Sequence, residues 1–175
     1  MNTLNIHPVS FDDPARTTDF LDLLDHYMRG PTGNGAPMAP ELRERLPAEL
    51  RQRPTVLCFI AYLEGKAAGL INCVEGFSTF AGRPLLNVHD IVVHEDFRRR
   101  GIARALLAHA EGVARERGCC KLTLEVLEGN RGARDAYLDF GFRAYQLDPA
   151  MGQALFMEKK LPPGNAAAAD RPAET

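Results

Sequence analysis

A strand-like run, Leu85 to Val93 (LLNVHDIVV), a basic turn ending in Arg98, Arg99 and Arg100, and a helical segment from Gly101 to Arg117 follow one another without a spacer. No other feature of the chain constrains its fold as much. The first run is rich in β-branched residues and reads as a strand. In the last, Ile102, Leu106, Ala110 and Val113 recur at helical intervals, while Ala103, Leu107 and Ala114 widen the apolar stripe. A strand that feeds an amphipathic helix through a short turn must lay that helix back on its own sheet, which predicts an α/β layer structure. At such a junction the first N–H groups of the helix have no intrahelical partner, and the helix dipole favours an anion. Gly101 and Ala103 keep the approach open, and Arg98, Arg99 and Arg100 add charge-assisted hydrogen bonds to phosphate oxygens. The dipole alone contributes only ~0.3–2 kcal/mol, so several N–H groups and at least one arginine must act together on a pyrophosphate. The segment is neither a Gly-Lys-Ser/Thr phosphate loop nor a dinucleotide GxGxxG turn.

The remaining pattern supplies the rest of one layered domain, expected over residues 1–161. Leu4 to Pro8 reads as a first strand, and Arg16 to Tyr27 as a helix that aligns Phe20, Leu21, Leu24 and Tyr27. Gly30 to Pro40 is expected to be a mobile surface loop, and Glu41 to Arg51 a helix in which Pro47 sits at a break or starts a second short segment. Thr55 to Leu63 and Lys66 to Phe77 form a hairpin about Glu64-Gly65, and a polar link containing Gly76, Gly82 and Pro84 precedes Leu85. Lys121 to Leu127 alternates as a strand. Ala133, Ala136, Tyr137 and Phe140 mark a short helix closed by Gly141, and Phe142 to Tyr145 and Ala154 to Lys160 are two further strands. The fold class is mixed α/β, a sheet of six or seven strands with helices on both faces. Pro162 to Thr175 is expected to be a disordered tail.

Composition narrows the function classes. A net charge of −2 over 175 residues gives no general attraction to nucleic acid or anionic membrane. Cys58, Cys73, Cys119 and Cys120 lack metal-ligand spacing, as do the histidines, and they read as reduced thiols; no metal is expected. No secretory leader and no membrane-length apolar run are evident, so a cytoplasmic protein is expected.

Two spaced signatures resemble those of the GNAT superfamily of N-acetyltransferases. Arg98-x-x-Gly101-x-Ala103 is similar to its coenzyme A loop, in the strand–loop–helix setting. About thirty residues on, Asn130-x-x-Ala133-x-x-Ala136-Tyr137, closing with Gly141-Phe142, is similar to its second signature. The resemblance implies an acetyl-CoA-dependent enzyme acting on a small-molecule or peptide amine. It also implies that the strand ending at Val93 splays from Lys121–Leu127 to admit the pantetheine arm. Cofactor contacts then fall to backbone groups of Ile91 and Val93, to the extended apolar Val92, to the loop and helix start Arg98, Arg99, Arg100, Gly101, Ile102, Ala103 and Arg104, and to Asn130, Ala133 and Tyr137. GNAT proteins are often dimers, so a homodimer is a further expectation.

Acetyl transfer to an amine poses two proton problems. An aliphatic amine with a pKa of ~10.4 must lose a proton before it attacks. Strict alternation places Asn87, His89, Ile91 and Val93 on one strand face, and an imidazole there is suited to take that proton. His89 is the candidate base, with Glu75 and Glu125 as other carboxylates in range; the same alternation turns Asp90 to the opposite face. The leaving thiolate needs a proton in return, and the phenol of Tyr137 matches the superfamily's general acid. Asn130 also suits a helix N-cap. No cysteine or serine stands beside a paired base, which favours direct attack over a covalent acyl-enzyme. A chain that binds acyl-CoA without turnover is the alternative, though it would need neither Tyr137 nor His89.

Overall fold

The computed structural model describes residues 3–146 and 148–161, in two compact units, Met1–Phe142 and Arg143–Thr175. The first holds a five-stranded sheet in the order β1 (Leu4–Pro8), β2 (Val56–Leu63), β3 (Lys66–Ser78), β4 (Arg83–Val93) and β5 (Leu122–Leu124). Neighbours are antiparallel except the last pair, because α3 (Ile102–Glu116) returns the chain between β4 and β5. The β2–β3 turn places Glu64 at φ 53° and Gly65 at φ 78°, the two positive values that a two-residue hairpin needs to match strand twist.

Two cores form on opposite faces. Leu106, Leu107, Ala110 and Ala114 of α3 pack on Ile71, Cys73, Leu86 and Val88. On the other face Phe20, Leu21 and Leu23 of α1 (Pro14–Arg29) cover Cys58, Ile60, Leu70 and Val92. Asp13 caps α1, accepting from Ala15 N–H at 3.0 Å, with Pro14 in the first turn where its missing N–H costs nothing. The expected break in the second helix does not occur. α2 (Pro40–Arg51) runs through Pro47, because Leu42, Leu46 and Leu50 recur every four residues and pack on the α1 core, holding the turns on either side. The segment before it is anchored rather than loose: Met38 is buried, and its N–H donates to Asp25 Oδ1 at 2.6 Å.

Five strands stand among the described residues, where six or seven were expected. The link containing Gly76, Gly82 and Pro84 is largely strand, since Gly76 pairs with Leu85 and Phe77 with Pro84, leaving a tight turn at Gly82. β5 is shorter than Lys121–Leu127 because Glu125, Val126 and Leu127 are exposed and no longer opposite β4. Phe142–Tyr145 and Ala154–Lys160 hold no regular strand. One backbone bond, Ala154 N–H to Tyr145 C=O at 3.0 Å, spans a 3-10 turn at Pro149–Met151, and Leu155, Phe156 and Met157 are exposed; alternating residues become a strand only with a ladder to join and a face to bury. The expected tail, Pro162–Thr175, lies outside the described residues. No helix among those residues is long and apolar enough to cross a membrane, and none of their His, Cys, Asp and Glu side chains cluster in threes suited to a metal ion.

Candidate acyl-CoA site

Strand β4 carries the site, and a bulge divides it. Asn72 of β3 stands opposite Asp90, but Cys73 stands opposite Val88, so His89 is the extra residue. The bulge resets the alternation. Leu86 and Val88 face α3 before it; after it Ile91 and Val93 pack on that same core, while Val92 joins the α1 core. Strict alternation therefore fails as a guide across His89. Asn87 does not share a face with Ile91 and Val93, whereas Asp90 lies opposite those two, as expected, on the α1 face beside Asn72. His89 itself is exposed at the bulge.

The bulge is also where β4 parts from β5. Their pairing covers Leu86–Val88 against Leu122–Leu124 and stops there. His94 N–H donates to Ala68 C=O at 2.9 Å, so His94 belongs to the bonded set of the β3–β4 ladder. One and three positions back, Val93 and Ile91 then turn their N–H and C=O outward, into the gap that β5 has left. Val92 by contrast turns its backbone to β3 and buries its side chain under α1, so its role is to hold the strand.

Beyond Val93 the chain makes a one-turn 3-10 helix, Glu95–Phe97, capped by His94, and then the basic turn. Arg99 at φ 63° and Gly101 at φ 78° occupy the left-handed region, which lets the turn reverse and enter α3 with no side-chain cap. The N–H groups of Ile102, Ala103 and Arg104 thus open onto solvent as an unpaired set. A cleft of about 220 Å³ lies over them, lined by Val93, Arg98, Arg99, Gly101, Ile102, Ala103 and Arg104. Arg98 Nε reaches the outward carbonyl of Val93 at 3.3 Å, Arg100 lies over the Phe97 ring at 5.9 Å, and Arg104 over the Phe140 ring at 5.7 Å. Unpaired N–H groups, three exposed arginines and outward strand groups fit a pyrophosphate followed by an extended amide-bearing arm.

The second signature forms α4 (Arg131–Phe140). Asn130 caps it, its Oδ1 accepting from Ala133 N–H at 3.3 Å, and Gly141 closes it at φ 113°. Tyr137 is half-buried, edge-on to Phe142 with centroids 6.0 Å apart. Burial pushes its phenol up to about 12, with a further upward contribution from Tyr27 on α1. Tyr27 is itself raised by burial and then by Asp90. The fold therefore brings Tyr27 within electrostatic reach of Tyr137 and of Asp90. Sequence patterning treated Tyr27 only as part of an apolar stripe; it set Asp90 opposite Ile91 and Val93, as found, but put Asn87 on their face, and the bulge responsible has no local sequence mark such as a glycine. Of the other carboxylates, Glu75 is tied to Arg117 at the end of α3, and Glu125 takes the Asn87 amide at 3.3 Å.

Residues 20–142 match the acetyltransferase (GNAT) family. Streptothricin acetyltransferase of Streptomyces lavendulae is 42% identical over 95 residues, 53% of this chain and 50% of that protein. N-alpha-acetyltransferase MAK3 of Arabidopsis thaliana is 39% identical over 88 residues, 49% of this chain and 44% of that one. The chain thus spans about half the length of these curated relatives. Among solved structures, a ribosomal-protein-alanine N-acetyltransferase from Brucella melitensis biovar Abortus 2308 superposes with a TM-score of 0.70 at 23% identity, covering 83% of this chain and 96% of that one. Aminoglycoside N-acetyltransferase AAC(6')-Iy in complex with CoA gives 0.71 at 17% identity, covering 92% and 97%. At these identities the likeness to the solved structures is one of fold. With the family match running from the first helix to the end of α4, the chain belongs to the acetyltransferase (GNAT) family.

Proposed function

We propose that the protein is an N-acetyltransferase that moves an acetyl group from acetyl-CoA to a primary amine of a small molecule or peptide, by direct attack in a ternary complex. The observation that carries this reading is the cleft over the start of α3, placed beside outward backbone groups of Ile91 and Val93. N–H groups of Ile102, Ala103 and Arg104, with Arg98 and Arg99, hold the pyrophosphate. Ile91 and Val93 bond the pantetheine arm as a fifth-strand neighbour would. Acetyl-CoA supplies the activated thioester. Tyr137, kept protonated by burial, hands its proton to the departing sulfur. His89, exposed at the bulge, takes the proton of the incoming amine directly or through water. Asn130 and Ala133 fix the start of α4 and so the reach of Tyr137. Kinship supports the amine class: the relatives named above are all N-acetyltransferases or antibiotic acetyltransferases by name. The test is isothermal titration of the protein with acetyl-CoA, followed by thiol release with a panel of amines. Micromolar binding and amine-dependent thiol release are expected; absence of binding to any acyl-CoA would overturn the reading.

A further inference from the structure

Tyr137 can act on the departing sulfur only where α4 holds it, and α4 is lightly held. None of its ten residues is buried, and only Ala133, Tyr137 and Phe140, spaced along one face, are half-buried. A helix of this length is marginal in water by itself, so the contacts of that face decide where it lies. They converge on one aromatic group. The turn at Gly141 folds Phe142 back on the helix, its N–H donating to Tyr137 C=O at 2.9 Å. Phe142 then meets the Tyr137 ring edge-on at 6.0 Å and stacks on Phe140 at 6.1 Å, and all three rings pack on the α3 core. A shift of Phe140 is therefore passed through Phe142 to the phenol.

Phe140 has a further neighbour on α3. The Arg104 guanidinium lies over its ring at 5.7 Å, within cation–π range. Arg104 stands in the first turn of α3 and lines the cleft. It enters no ion pair among the described residues, whereas Arg115 and Arg117, near the other end of that helix, are paired with Glu111 and Glu75. Its charge is thus left for the cleft while its face is committed to Phe140. A guanidinium can serve both at once, because its N–H donors lie in its plane and leave the faces free for a ring. An ammonium, a compact point charge, cannot.

We propose that Arg104 and Phe140 are positioning residues that couple the two halves of the site: an anion in the cleft orders the Arg104 guanidinium by its edge, the guanidinium face holds Phe140, and Phe142 passes that order to Tyr137. Occupancy of the pyrophosphate position thereby sets the proton donor for the departing sulfur. The inference rests on the proposed acetyl transfer with Tyr137 as its acid. It gives Phe140 and the Arg104 side chain a task beyond cofactor binding.

The experiment uses full-length protein carrying 13C-labelled tyrosine, with ADP as probe, because ADP brings a pyrophosphate but no pantetheine arm that could touch Tyr137 itself. The Tyr137 ring signal is identified by its loss in Tyr137→Phe. In the wild type it shifts saturably with ADP. In Phe140→Leu, which keeps an apolar side chain and leaves the cleft alone, ADP binds within a few-fold by isothermal titration while most of that shift is lost. Arg104→Lys, compared at saturating ADP, loses it as well, since the charge is kept and the stack is not. No Tyr137 response in the wild type, or an undiminished response in either variant, overturns the coupling. Should Phe140→Leu fail to fold, Arg104→Lys, at an exposed position, still decides. Acetyl-CoA is titrated into the same wild-type sample: no binding defeats the proposed transferase function, whereas binding without a Tyr137 response to ADP defeats only the coupling.

Discussion

Substituting Gly101 separates the geometry of the proposed anion site from its charge. The residue stands at φ 78° at the entrance to α3, and a Cβ added there meets nothing within 4 Å. Gly101→Ala therefore introduces left-handed strain and no clash, a cost of about 1–2 kcal/mol in stability. For a chain of this size that lowers Tm by roughly 2–8 °C. The N–H groups of α3 keep their direction, so affinity for acetyl-CoA should stay within a few-fold. Gly101→Glu adds the same strain and also a carboxylate beside the proposed pyrophosphate. At ~6 Å and an effective dielectric of ~20, one pair of like charges costs about 3 kcal/mol, on the order of a hundred-fold in Kd. Thermal melts and isothermal titration with acetyl-CoA are run on both variants. Similar melting temperatures with a gap of a hundred-fold in affinity are expected. Equal affinity in the two variants would refute the placement of the pyrophosphate over the α3 N-terminus.

Tyr137→Phe removes only the phenolic proton, so kcat should fall by ~10²-fold or more while acetyl-CoA affinity, read by titration, changes little. Because burial raises this phenol to about 12, the acid stays protonated as pH rises past 10, and Tyr137 should impose no alkaline loss of rate below that region. Its contribution to stability has the same sign: full below the ordinary phenol value of ~10 and lost as pH climbs from there through about 12, which alkaline unfolding of wild type against Tyr137→Phe would show. His89→Ala should flatten the acidic limb of kcat/KM against pH; an unchanged limb transfers the base role to another group. Leu106→Ala empties a fully buried position between α3 and the sheet and should cost about 2–5 kcal/mol by urea unfolding, without altering the chemistry of the cleft in the folded fraction.

Local chemistry made a large part of this protein legible in its sequence. The junction from β4 through Arg98–Arg100 to α3 follows from a β-branched run, a glycine able to take positive φ and a helical stripe, all of which act over neighbouring residues. The Glu64-Gly65 hairpin and the Asn130 and Gly141 ends of α4 are local in the same sense. Other features were not legible because they depend on distant partners. Pro47 is tolerated since α2 is held by the α1 core, and β5 ends early since β4 turns away from it. The bulge at His89 exists only as a mismatch between β3 and β4, and nothing in the residues of β4 alone announces it. Yet that one extra residue decides which side chains share a face. By itself the sequence determined the strand–turn–helix junction, because turn, charge and helix start are contiguous there. Only the tertiary structure decided that Asp90 meets Asn72 and that Tyr27 lies within reach of both Asp90 and Tyr137, because pairing register and strand splay are set by contacts between segments far apart in the chain.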